Sequence, residues 1–242
     1  MRYVGSKNRV SKYLVPIIQS YINDNCKGYI EPFVGGANVI DKIKCNNKIG
    51  YDINCYLIAL LNHVKVTTDD IPEEITREHY YDVKYNKNNY DEWYAGLIGF
   101  CGSFGADFFH SYATNGNNPK YKNSPYHESK NSIIKQSVNL KDITFECKDY
   151  KELHNLSGYV IYCDPPYKGT YNYKLKFNHD DFYEWVRKMS VNNIVLVSEY
   201  EMPDDFEEIW EKQYTASLSR NNKNTVKTEK LFIYKNGIKS LS

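Results

Sequence analysis

A chain of 242 residues is long enough for one large domain, or for one domain carrying an insertion, with a sizeable core. Hydrophobic residues make up 41% and charged residues 25%, as in soluble globular proteins, and no apolar run approaches the ~18–20 residues that would span a bilayer. The net charge of +1 says nothing for or against nucleic acid, while six scattered cysteines with no CxxC pair argue against structural zinc and a disulfide framework.

The opening Met1-Arg2-Tyr3-Val4-Gly5-Ser6-Lys7 has no secretory apolar region, and a reducing cytoplasm fits the cysteine usage. Arg2, Lys7, Arg9 and Lys12 precede any acid, and near the other end Arg220, Lys223, Lys227, Lys230, Lys235 and Lys239 face only Glu229. Two basic ends on one surface would suit an anionic polymer, and two solvated ends would explain the pattern equally well. Ser6 is the expected N-cap of a helix through Val10, Tyr13, Leu14, Ile17, Ile18 and Tyr21. Such a helix N-terminus bearing Lys7 can bind a carboxylate, or can simply be a capped surface helix.

Gly28-Tyr29-Ile30-Glu31-Pro32-Phe33-Val34-Gly35-Gly36-Ala37-Asn38-Val39-Ile40 reads as a strand running into a turn with paired glycines and then a helix. This is the first unit of a Rossmann-like sheet, where paired glycines allow a cofactor close to the backbone. The absence of GxGxxG argues against a dinucleotide. A second strand, 48–52, ends in Asp52 before a helix through Ile58, Leu61 and Val64. An acid at that place commonly accepts the ribose hydroxyls of a nucleoside cofactor, and it can also cap the helix.

From 66 to 141 the pattern breaks. An acidic helix start at 69–75 gives way to tyrosines, asparagines and a Phe-rich stretch, then to a loop holding Lys120 and Lys122. Inserted before the next strand, this segment suits DNA recognition, or serves as a lid or an ornament. The sheet resumes at 143–147, followed by Asp149 and Tyr150, an acid and a ring suited to an adenine.

The apolar run Val160-Ile161-Tyr162-Cys163 then stops in Asp164-Pro165-Pro166-Tyr167. The prolines fix φ and lack N–H donors, so they end the strand in a rigid hook. A carboxylate, a carbonyl and an aromatic face at a strand's carboxyl end suit the exocyclic amine of a nucleobase. Asp164 and the Pro165 carbonyl would accept the amine protons, freeing the nitrogen lone pair for an electrophile, and Tyr167 would stack on the extruded base. A Pro-rich turn with a solvated Asp164 is the plainer alternative. Beyond it lie a basic, aromatic loop with Tyr171 and Lys174, a helix near 181–189, a strand at 193–198, a segment 206–210, and strands at 214–219 and 230–235 flanking a polar tip.

In this order, Arg2-Tyr3-Val4-Gly5-Ser6-Lys7, Glu31-Pro32-Phe33-Val34-Gly35-Gly36, Tyr51-Asp52-Ile53-Asn54, Asp164-Pro165-Pro166-Tyr167 and Thr228-Glu229-Lys230-Leu231-Phe232 resemble the motifs of Dam-type (alpha-group) DNA adenine-N6 methyltransferases, especially compact phage-associated members. The resemblance spans nearly the whole chain. It implies an α/β, Rossmann-like S-adenosylmethionine-dependent methyltransferase sheet, with 1–65 and 142–242 catalytic and 66–141 an inserted target-recognition region. It implies S-adenosylmethionine as cofactor, contacted by Tyr3, Lys7, Glu31, Phe33, Gly35, Gly36, Asp52, Asp149, Tyr150 and Asp164. Asp164, Pro165, Pro166 and Tyr167 would be catalytic, and no metal is implied.

Double-stranded DNA would be held by Arg9, Lys120, Lys122, Tyr171, Lys174, Arg220, Lys223 and Lys227. The segment Ser103-Phe104-Gly105-Ala106-Asp107, followed by His110, departs from the family's basic Ser-Phe-Gly-Gly-Lys pattern, so the recognised sequence stays undefined. The expected protein is a cytoplasmic monomer. With no recognisable nuclease segment, it is a solitary methylase or the partner of a separate cognate restriction endonuclease. Cytosine-N4 methylation needs the same amine geometry and is the nearest alternative; RNA or protein-amide methylation is more distant. A DNA-binding relative without turnover is the alternative from another class.

Overall fold

The computed structural model describes residues 1–114, 124–168, 177–216 and 225–241. The strands are β1 (Gly28–Glu31), β2 (Lys48–Asp52), β3 (Ile143–Cys147), β4 (Tyr159–Cys163), β5 (Ile194–Glu199), β6 (Phe206–Ala216) and β7 (Thr225–Tyr234). They form a seven-stranded sheet in the order β3-β2-β1-β4-β5-β7-β6. Strand order reverses after β1, the doubly wound pattern in which ligands bind beyond the strands' carboxyl ends. The chain divides into two compact units, 1–12 with 34–149 and 13–33 with 150–242.

In the first unit β2 and β3 pair in parallel, with Asp52 opposite Cys147. Helices α2 (Cys55–Val64), α3 (Arg77–Tyr85), α4 (Glu92–Cys101) and α5 (Pro125–Ser137) supply its core through Leu57, Leu60, Leu61, Tyr80, Leu97 and Ile133. α4 crosses α2 at Gly96, where a Cβ would stand 2.2 Å from the Tyr56 carbonyl oxygen; only glycine permits that approach.

Three expectations fail here for local reasons. No α-helix follows the glycine turn, because Gly35 and Ala37 both take positive φ and leave only a 3₁₀ turn at Ile40–Lys42. The stretch 69–75 is bends and turns around Pro72; Thr76 caps α3 instead, accepting the His79 N–H at 3.1 Å. The expected first helix is split: Ser6 caps a 3₁₀ turn, Lys7–Arg9, and α1 begins only at Ser11–Ser20.

The cysteine reading is also corrected. Cys55 and Cys147 are disulfide-bonded across a sequence separation of 92, because the β2–β3 register sets Cys147 beside Asp52 and the chain enters α2 three residues later. Cys26, Cys45, Cys101 and Cys163 are outside any disulfide. Closing so long a loop contributes about 2–4 kcal/mol. Dithiothreitol is therefore expected to lower Tm by roughly 5–10 °C, and Cys55→Ser to abolish that dependence on reductant. Identical melting curves with and without reductant would show that the link contributes nothing.

In the second unit β1, β4 and β5 are parallel and β7 pairs antiparallel with both β5 and β6. Every position of β1 and β5 is buried, which explains the apolar runs Tyr29-Ile30 and Ile194–Val197 within them. The segment 206–210 and the strand expected from 214 are one element, β6, with a register shift between Glu208 and Trp210. That pairing gives two lysines of the basic end acidic partners. Lys230 lies 2.9 Å from Glu208 and 3.7 Å from Glu211, and Lys239 pairs with Glu207. Helix α6 (His179–Met189) buries Phe182, Tyr183 and Val186, and its Arg187 grips Asp205 through two bonds of 2.6 and 3.0 Å. Among the described residues no helix is long and apolar enough to cross a membrane.

Candidate active site

The first unit gathers Tyr3, Lys7, Gly35, Gly36, Asp52 and Asp149. Gly35 has φ +48, and its N–H donates to Asp52 Oδ2 at 3.1 Å. Asp52 Oδ1 accepts the Asn54 N–H at 3.0 Å, but the helix cap is Asn54, whose side chain accepts the Leu57 N–H. Asp52 therefore braces the glycine turn and the start of α2 without being the cap. Burial raises its carboxyl above the ordinary range, against the lowering effect of N–H bonds from Asn54, Gly35 and Ile53.

Tyr3 lies directly on the paired glycines. A Cβ on Gly35 would stand 3.0 Å from its ring, and one on Gly36 would stand 2.9 Å from its Cβ. The glycines thus seat Tyr3, which also meets Phe100 at 5.6 Å. Lys7 is buried in the turn that Ser6 caps, and Asp149 is half-buried. Ile53, beside Asp52, is 59% exposed. Its apolar side chain at a cofactor-type acid is a signal the strand-end reading passed over.

The second unit holds Glu31, Phe33, Tyr150 and the elbow. Glu31, buried at the end of β1, accepts the Tyr29 hydroxyl at 2.8 Å. Phe33 and the buried Tyr150 meet at 5.3 Å in an aromatic cluster that includes Phe182. Tyr150 so packed offers its surroundings a rigid apolar wall. β4 ends at Cys163, and the chain turns at once through Asp164 (half-buried), Pro165 (buried), Pro166 and Tyr167 (both half-buried).

The Tyr167 hydroxyl donates to Glu229 on β7, and its ring makes a T-shaped contact with Tyr200 at 4.7 Å. Burial, together with the charges of Asp164 and Glu229, pushes the Tyr167 phenol well above its usual range, so it stays a neutral donor. Burial and then Asp164 also raise Tyr162 and Cys163. His179 Nε2 donates to the Pro166 carbonyl at 2.9 Å and lies 3.9 Å from the buried Glu199. Glu199 and His179 escaped the sequence reading. An acid closing an apolar strand, the cue that singled out Asp52 and Asp164, was present at Glu199 as well.

Of the expected DNA contacts, Arg9 is exposed and Lys227 lies within β7. Lys120, Lys122, Tyr171, Lys174, Arg220 and Lys223 fall outside the described residues.

A doubly wound sheet extended by an antiparallel pair, with an Asp-Pro-Pro-Tyr elbow leaving its fourth strand, defines a Rossmann-like methyltransferase. The model of the D12 class N6 adenine-specific DNA methyltransferases matches residues 3–189, and the chain belongs to that family. It is 28% identical to the type II methyltransferase M.FokI of Planomicrobium okeanokoites over 71% of this chain and 30% of that one. It is likewise 28% identical to the type II methyltransferase M.MjaIII of Methanocaldococcus jannaschii over 75% of each. The DNA adenine methylase of Escherichia coli K12 is 29% identical over 57% of this chain and 55% of that one. The chain thus spans under a third of M.FokI, about half of the Escherichia coli enzyme and three quarters of M.MjaIII.

Proposed function

We propose that the chain methylates adenine N6 in double-stranded DNA, with S-adenosylmethionine as the methyl donor and the target base turned out of the duplex. One observation carries this reading: a half-exposed carboxylate and a buried proline stand at the carboxyl end of β4, locked by the prolines and by hydrogen bonds on the far side. Asp164 and the Pro165 carbonyl would accept the amine protons and leave the nitrogen lone pair free. Acceptors held beforehand need little reorganisation at the transition state. The family's adenine specificity favours this over cytosine-N4 methylation.

The first unit's residues fit the donor's chemistry. Asp52, an acid ending β2, suits ribose hydroxyls; exposed Ile53 suits a flat ring; Tyr3, Lys7 and the glycine turn suit a zwitterionic tail. When bound, S-adenosylmethionine supplies an electrophilic methyl on sulfonium. Residues 66–141 would read the target sequence, with Lys120 and Lys122 in that segment, while Arg9, Tyr171, Lys174, Arg220, Lys223 and Lys227 hold the backbone. Residues 1–65 and 142–242 would carry catalysis. The protein would act as a monomer in the cytoplasm, alone or beside a separate cognate endonuclease.

Incubation with methyl-labelled donor and unmethylated genomic DNA, followed by nucleoside analysis, is expected to give labelled N6-methyladenine. Label in N4-methylcytosine would replace the reading. DNA binding without donor binding would identify a relative that does no chemistry.

A further inference from the structure

We propose that Glu229 and Glu199 are positioning residues that set the Asp-Pro-Pro-Tyr elbow, Glu229 through the Tyr167 hydroxyl and Glu199 through the main chain just beyond it. The inference rests on the reading of that elbow as the amine-binding device. It adds a second source of rigidity to the prolines.

Both carboxylates are nearly out of solvent, with Glu199 1% and Glu229 3% exposed. A buried carboxylate is costly unless its oxygens are well supplied with donors. Each acid takes a donor from the elbow or the residue just after it. Glu199 Oε2 accepts the Lys168 N–H at 3.2 Å, and its Oε1 accepts the Tyr200 N–H at 2.8 Å. Glu229 accepts the Tyr167 hydroxyl. The two acids come from neighbouring antiparallel strands: Glu199 pairs with Lys230, the residue next to Glu229. That pairing brings both to the same end of the sheet, under the segment that leaves β4.

Each contact fixes a different degree of freedom. The prolines hold φ at 165 and 166 but leave the Tyr167 side chain free to turn. A charge-assisted bond from its hydroxyl, roughly twice as strong as a neutral one, pins the far end of the ring. Tyr200, attached to Glu199 by its own N–H, packs at right angles against that ring. His179 must donate from Nε2, since the Pro166 carbonyl can only accept, and its imidazole thereby holds the second proline's peptide. The ring proposed to stack on the target base and the acceptors proposed to hold its amine are then set in one orientation before DNA arrives.

The test compares Glu229→Gln, Tyr167→Phe, their double variant and Glu199→Gln with the parent, using methyl-labelled donor and unmethylated genomic DNA. Each single variant is expected to lose roughly tenfold in kcat, while the donor Kd stays within about twofold and Tm within a few degrees, judging from the loss of one charge-assisted bond. The double variant should be no slower than the worse single one, since Tyr167→Phe deletes the bond whose charge assistance Glu229→Gln removes. Additive losses, or parental kcat in Tyr167→Phe, would overturn the assignment of Glu229. Parental kcat in Glu199→Gln would overturn that of Glu199. Tyr167→Phe removes one hydroxyl only, so it decides the matter even if a Glu229 variant does not fold. Asp164→Ala run alongside separates the two levels: inactivity there with parental Glu229 and Glu199 variants refutes only this inference, whereas an active Asp164→Ala removes the elbow reading and this inference with it.

Discussion

Asp164→Ala is expected to lower turnover at least ~10²-fold, the scale seen when one preorganised polar group is taken from a reacting centre. Its carboxylate leaves β4 at a point where the chain cannot relax, because Pro165 is buried and the Pro166 carbonyl is held by His179. An amine nitrogen conjugated to a purine is a weak nucleophile, and its lone pair becomes available only as its protons are accepted by fixed oxygens. On the proposed reading, removing Asp164 would leave the Pro165 carbonyl as one acceptor where two are needed. Asp164→Asn keeps one oxygen acceptor but loses the charge and presents a donor to the amine, so its turnover should lie between alanine and parent. Single-turnover methyl transfer with saturating donor and DNA gives the comparison. An Asp164→Ala rate near the parent's would defeat the assignment.

Much of this elbow was legible before any coordinates, because its cause is local: an apolar run broken by two residues that cannot donate to a sheet. The central strands β4 and β5 were readable for a related reason, since burial on both faces makes them largely apolar. Features that depend on distant partners were not. Lys230 looked unpaired in a basic stretch, yet the acids beside it are Glu208 and Glu211, brought by the β6–β7 register. Cys55 and Cys147 gave no spacing cue, because their proximity follows from the parallel pairing of β2 with β3. The helix expected after Gly36 failed on a backbone state: Ala37 at positive φ is invisible to periodicity. Glu199 and Glu229 stand between these cases. Each is visible as an acid at a strand end or in a family motif, but their shared task appears only when β5 and β7 lie side by side.

Asp52→Ala is expected to weaken S-adenosylmethionine binding by roughly 10–100-fold, the loss of about 1.5–3 kcal/mol that follows removal of a hydrogen-bonding charged group. Part of that loss would be indirect. The carboxylate also accepts the N–H groups of Gly35 and Asn54, so its removal unties the turn that seats Tyr3. Asp52→Asn separates the two contributions. Its single carbonyl can keep one of those N–H bonds while its amide opposes the other, so donor affinity should fall with a smaller loss of Tm than in the alanine variant.

If Asp52 holds the donor as proposed, the same carboxylate would set a pH dependence for the parent. Its pKa is raised by burial, so protonation begins above the ordinary carboxylate range as pH falls. The ionised form is the better acceptor for hydroxyl groups, so donor Kd should rise as pH is lowered through that raised value and stay flat toward neutrality. Calorimetric titration of the parent from neutrality downward in pH reads this directly. Asp52→Asn, which has no proton to gain there, should lose the slope. A parent whose Kd is flat through that range, or an asparagine variant that keeps the slope, would place the titrating group elsewhere in the donor site.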